Sequence, residues 1–159
     1  MTAKRATGNT VLAKGVALDD FLPYLLNRIA NRLNSDLAEE LRGVGMTLAD
    51  WRVLAVLKVR DGRSISELSV YTVIEQSTLS RIIDRMVRAG LVVRRPGDRD
   101  ARRVMIFLTP RGRAAFRKAL RIAFRHYEHA VAGLDEAELT RLIATLHRIL
   151  ENVRRSPYA

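Results

Sequence analysis

Gln76, Ser77, Thr78, Ser80, Arg81 and Arg85 are the residues whose types and spacing could do chemistry. They lie in the stretch QSTLSRIIDRM, which reads as a short amphipathic helix. At about 100° per residue, Leu79, Ile82, Ile83, Met86 and Val87 fall in one arc. Ser77, Ser80, Arg81, Asp84, Arg85 and Arg88 fill the opposite arc. A solvated helix face usually mixes Lys with Glu, so that charges one turn apart attract. Here two arginines stand one turn apart behind a group of hydroxyls, and the anions that would balance them belong to another molecule. Arginine forks suit phosphates and guanine edges, and hydroxyls can bind either phosphate or base. The leading turn is also expected to offer free backbone N–H groups to an anion. Asp84 is placed to orient an arginine.

Other chemistries find less support. There is no glycine-rich phosphate loop and no G-x-S-x-G elbow, and Ser77 and Ser80 have no histidine nearby in sequence. An enzyme is therefore not expected, nor any cofactor. Zero cysteines exclude a disulfide framework, a thiolate metal site and a thiol redox switch, and fit a cytoplasmic protein. His126 and His129 stand three apart with Glu128 beside them. A histidine pair on a helix is a weak metal signal, and no metal site is assigned.

The elements that position the candidate helix follow from periodicity. Leu18, Leu22, Leu25, Ile29, Leu33, Leu37 and Leu41 mark a helix from about Leu18 to Arg42, stopped by Gly43 and Gly45. Thr47 with Asp50, and Ser64 with Glu67, are capping boxes that open two further helices. YTVIE reads as the turn before the candidate helix. LVVRR and RRVMIF are two strands around the polar PGDRDA, a hairpin with a basic tip. Pro110 starts another helix, and Asp135 caps the last.

The chain has 159 residues and a net charge of +11. Between Ser77 and Arg125 there are fourteen Lys and Arg against three Asp, while the remainder is balanced. A field concentrated in one segment attracts a polyanion, nucleic acid before an anionic membrane. No apolar run approaches the roughly 18 residues of a membrane helix, and MTAKRATGNTVLAKG lacks the apolar core of a secretory signal.

Helix, turn, helix and basic hairpin together form the winged helix-turn-helix pattern. The run QSTLSRIIDRMVRAGLVVRRPGDRDARRVMIFLTPRG resembles the signature of the MarR family of bacterial transcription regulators. Ser77-Thr78-Leu79-Ser80-Arg81 matches the start of the family's recognition helix, and Asp100-Ala101-Arg102 matches its wing. Leu108-Thr109-Pro110 with Gly112 matches the exit into the next helix. One departure is Thr72-Val73, where the family usually has Leu and Gly. The fold expected is mainly α: a winged helix-turn-helix with a two-stranded β wing, and N- and C-terminal helices forming a dimerisation region. Residues 1–17 would be a flexible arm, 18–153 a single domain and 154–159 a tail. The dimerisation helices would cover about 18–42 and 111–153, and the winged helix-turn-helix about 47–110.

The resemblance implies a homodimer on a palindromic operator in double-stranded DNA, with repression commoner than activation. The expected DNA contacts are Gln76, Ser77, Thr78 and Arg81 on bases, and Ser80 and Arg85 on the backbone. In the wing they are Arg99, Asp100, Arg102 and Arg103, with Arg102 the groove probe. Relatives release DNA on binding a small effector. Phe21, Tyr24, Arg28, Trp51 and Arg52 are candidates to line such a pocket, an aromatic wall with arginines that suits an aromatic acid or its CoA thioester. Two other readings share the charge pattern: a metal-responsive regulator of the same fold, and a non-specific nucleic-acid-binding protein.

Overall fold

The computed structural model describes residues 15–97 and 103–153. They fall into two compact units, Met1–Asp36 and Leu37–Ala159, and the boundary lies inside the first helix. Helix α1 spans Leu22–Arg42. It starts later than periodicity suggests, because Leu18–Asp20 form a single 3-10 turn. Pro23 is the reason: it has no N–H to donate to Asp19, and its ring would clash with that carbonyl, so it is tolerated only in a first turn. In the first unit, Leu22, Leu25, Ile29 and Leu33 recur along α1, and each is more than a third exposed.

The second unit holds the described core. Helix α2 (Leu48–Val59) lies at its centre and packs on α3 (Ile65–Thr72), α4 (Gln76–Arg88) and α5 (Pro110–Ala130). Leu54, Leu57, Leu68, Leu79, Ile83 and Ile106 are completely buried. Each such side chain contributes about 1.5–3 kcal/mol relative to exposure. Both expected capping boxes form. Thr47 Oγ1 accepts from Asp50 N and Asp50 from Thr47 N, and Ser64 and Glu67 repeat the arrangement. Pro110 occupies the first turn of α5, and the Thr109 hydroxyl caps it. Helix α6 (Glu136–Val153) has no buried residue, and its Leu142, Ile143, Leu150 and Val153 are exposed.

The wing is larger than the two strands expected. A short strand β1 (Arg63–Ser64) joins β2 (Val92–Pro96) and β3 (Val104–Leu108) in an antiparallel sheet of order β1-β3-β2. Val92 pairs with Leu108 and Pro96 with Val104, while Arg63 pairs with Ile106 on the other edge of β3. Two residues carry no readable alternation, so β1 left no pattern in the sequence. Asp61 fixes this corner: Oδ1 accepts the Leu108 N–H at 2.8 Å and Oδ2 lies 2.9 Å from Arg113 of α5.

Candidate nucleic-acid interface

Helix α4 divides as its periodicity requires. Leu79, Ile83 and Met86 are buried, whereas Gln76, Ser77, Thr78, Arg81, Arg85 and Arg88 are exposed. Ser80 and Asp84 are half-buried at the edge. The buried arc locks the helix against α2 and α3, and the polar arc is presented outward as one surface.

The arginines of this arc differ in freedom. Arg85, expected on phosphates, reaches back to α2: its NH2 lies 2.6 Å from Asp50 Oδ1 and donates to Thr47 Oγ1 at 3.2 Å. Asp50 is buried, so Arg85 neutralises a carboxylate inside the protein. Asp84 pairs with an arginine as expected, Arg94 of β2 at 2.7 Å, and so joins α4 to the wing. Arg81 is exposed and has no ion-pair partner among the described residues. Arg88, also exposed, donates from Nε only to the Asp84 carbonyl of its own helix at 3.4 Å.

The leading turn corrects an expectation. The N–H groups of Ser77 and Thr78 are not free, because the Glu75 side chain caps the helix. Glu75 Oε1 accepts the Ser77 N–H at 2.9 Å, and Oε2 accepts the Thr78 N–H at 3.1 Å and the Ser77 hydroxyl. The Ser77 hydroxyl and these amides hold the Glu75 carboxyl down at about 2. The acid directly before Gln76 was the available signal, but Glu is uncommon as a cap and the segment reads as a plain turn.

In the hairpin, Arg103 is exposed and its carbonyl accepts the Gly97 N–H at 2.8 Å. Arg95 of β2 lies over the Phe107 ring at 5.5 Å. Arg99, Asp100 and Arg102 lie outside the described residues.

Comparison with known proteins agrees with this geometry. A MarR family profile matches residues 44–103, which contain the helix-turn-helix and strand β2 of the wing. A crystal structure of a MarR-family transcriptional regulator from Silicibacter pomeroyi superposes with a TM-score of 0.82 at 35% identity, over 89% of this chain and 95% of that one. The chain belongs to the MarR family. Among relatives of this MarR protein, the transcriptional activatory protein BadR from Rhodopseudomonas palustris is 31% identical over 98% of this chain and 91% of its own length. The HTH-type transcriptional repressor IacR from Pseudomonas putida is 28% identical over 85% and 81%. BpsR from Bordetella bronchiseptica, whose DNA binding is described as regulated by 6-hydroxynicotinic acid, superposes with a TM-score of 0.71 at 25% identity, over 80% of this chain and 97% of that one. The protein is thus a transcriptional regulator of MarR type with a DNA-binding helix-turn-helix.

The departure at Thr72-Val73 does not loosen the MarR turn. Val73 adopts the left-handed conformation that glycine would take, at φ 54° and ψ 45°. Thr72 is buried, and its hydroxyl donates to the Leu68 carbonyl at 2.7 Å. The turn keeps its geometry with a strained valine.

The candidate effector residues divide between the units. In the first, Arg28 pairs with Asp19 at 2.9 Å and lies over the Tyr24 ring at 5.5 Å, and Phe21 is exposed. In the second, Trp51 stacks on Phe116 with ring centroids 5.5 Å apart, and Arg52 donates to the Thr72 carbonyl at 3.4 Å. His126 faces Glu40, with Nε2 3.0 Å from Oε1, and Arg125 takes the other oxygen at 2.6 Å. The Arg125 hydrogen bond, foremost, holds the Glu40 carboxyl below its usual range. His129 is exposed. Among the described residues no three His, Asp or Glu side chains are grouped to hold a metal ion, and no helix is long and apolar enough to cross a membrane.

Proposed function

We propose that the protein is an effector-responsive repressor that binds a palindromic operator as a homodimer. The observation that carries the reading is the polar arc of α4: Ser77, Thr78 and Arg81 stand exposed, backed by an apolar arc in which Leu79, Ile83 and Met86 are buried. A helix held in this way enters a major groove as a rigid body. In this reading Arg81 would read a base and Ser80 would bind backbone, and Arg102, outside the described residues, would probe the adjacent groove from the wing. Arg99, Asp100 and Arg103 would flank that probe.

Dimerisation is supported by the apolar stripes left exposed on α1 and α6. The effector class is supported by BpsR, described with 6-hydroxynicotinic acid, and by the homoprotocatechuate degradative operon repressor of Escherichia coli, 29% identical over 62% of this chain. We infer that the effector is an aromatic acid or its CoA thioester; Phe21, Tyr24 and Arg28 in the first unit, and Trp51 and Arg52 in the second, are each candidate contacts for it. Release of DNA then requires only that the effector favour a form with mismatched reading heads.

Gel shift on DNA flanking the protein's own gene tests the reading. Binding should survive excess random duplex and weaken on adding 6-hydroxynicotinic acid, benzoate or benzoyl-CoA. Equal loss on all sequences would mark a coating protein instead. Trp51, the chain's one tryptophan, reports effector binding by its emission.

A further inference from the structure

The leading turn of α4 carries a carboxylate where a DNA-binding helix would ordinarily offer donors to phosphate. Both N–H groups of Ser77 and Thr78 are consumed by Glu75, and the Ser77 hydroxyl gives its proton to Glu75 Oε2. What Glu75 and Ser77 still present outward are lone pairs alone. Oε2 already accepts two hydrogen bonds, whereas Oε1 accepts one and keeps capacity for another. Ser77 Oγ, once its proton is committed, is an acceptor as well. Glu75 and Ser77 are both exposed.

An acceptor-only surface repels phosphate oxygens and finds no partner in guanine O6 or N7 or in thymine O4, which are acceptors too. It matches an exocyclic amino group. A carboxylate pairs with the N4 amino group of cytosine, whereas adenine is read in bidentate fashion by a side chain that also donates to N7. We propose that Glu75, with Ser77, is a specificity determinant that selects a cytosine amino group in the major groove and turns the helix front away from backbone phosphate. This rests on the reading of α4 as the base-reading helix. It gives the turn a purpose that a neutral cap would not serve, since Ser, Asn or Thr would cap as well without adding charge against a polyanion. Arg81, one turn along, supplies the attraction, and Glu75 restricts where that attraction is satisfied.

The test uses the full chain and duplexes selected in vitro from a random-sequence library. The variants are Glu75→Ser, a neutral cap, and Glu75→Asp, which keeps the charge; thermal melts confirm that each is folded. The wild type should select a motif with a fixed cytosine in each half-site and prefer C·G to T·A there by about tenfold. Glu75→Asp should retain that cytosine. Glu75→Ser should lose it, with the preference falling to about even, and should bind an alternating dA–dT duplex about threefold more tightly than the wild type at matched salt. A Glu75→Ser variant that selects the same cytosine with the same preference overturns the assignment. A wild type that selects no motif at all removes base reading by α4 itself, and this proposal with it.

Discussion

Two arginines one turn apart on α4 do different work, and their substitution separates folding from recognition. Arg81 is exposed and unpaired among the described residues. Arg81→Ala should leave the melting temperature unchanged, cost about 1–3 kcal/mol in operator binding and relax sequence choice at one position. Fluorescence anisotropy on operator and point-substituted duplexes checks this; unchanged affinity would remove Arg81 from the contact set. Arg85 neutralises the buried Asp50 carboxylate at 2.6 Å. Arg85→Ala leaves that carboxylate with only Thr47 as partner and, because Arg85 itself is half exposed, should cost about 1–3 kcal/mol in denaturant unfolding. Its effect on DNA should follow the loss of folded protein, so affinity corrected for the folded fraction stays near the parent's. Glu75 has a signature in acid. Its carboxyl lies at about 2, below the ordinary 4.5. A depressed folded value means that its contribution to stability is complete above about 4.5 and is lost as pH falls from 4.5 toward 2. Glu75→Gln should therefore flatten the acid limb of the stability profile in that window, and an unchanged limb would show that the cap does not hold in solution.

At the scale of elements, the turn between α3 and α4 stores strain at a single residue. Val73 sits at φ 54°, where a β-branched side chain meets its own backbone. It is also largely exposed, so little packing is lost on removing it. Val73→Gly should raise stability by about 1 kcal/mol, the relief of αL strain exceeding glycine's extra entropy. Gly112 shows the opposite case. A Cβ there would lie 2.0 Å from the Leu91 carbonyl oxygen, a backbone atom that cannot swing away. Gly112→Ala should force α5 off the α4–β2 junction and lower the melting temperature by several degrees, read by circular dichroism. The same elements show what the sequence made legible. Long periodic helices and both capping boxes were readable because each rests on side chains a few residues apart. The polar arc of α4 was readable for the same reason. Strand β1 was not, since two residues pair with β3 only once the chain has folded back across forty positions. The engagement of Arg85 with Asp50 joins residues from different helices, so periodicity placed Arg85 correctly on the face without revealing what it touches. Glu75 stood in plain view next to Gln76. Its cap was not legible because Glu is uncommon in that role and YTVIE reads as a plain turn.

At the scale of the whole molecule, the decisive quantity is apolar surface left without a partner. On α1, Leu22, Leu25, Ile29 and Leu33 share a stripe, and each is more than a third exposed. On α6, Leu142, Ile143, Leu150 and Val153 do the same. A monomer rarely leaves such stripes to water, and in the proposed homodimer a second copy would cover them. Two reading helices held together must meet half-sites about one helical turn apart, or a multiple of it. In the proposed dimer the second helix would bind at an effective concentration set by the pairing, which should raise affinity for the full operator over a half-site by about 10²-fold or more. Ile29→Glu places a charge in the α1 stripe at a position already 47% exposed within the chain, so the fold should survive. Sedimentation should then show a single subunit at micromolar concentration. Affinity for an isolated half-site should remain that of the parent, while affinity for the palindrome falls by about 10²-fold to the half-site value. Retention of both the dimer and palindrome affinity would mean that the α1 stripe lies outside the interface. Loss of half-site binding as well would mean that pairing of subunits is needed to present α4 at all.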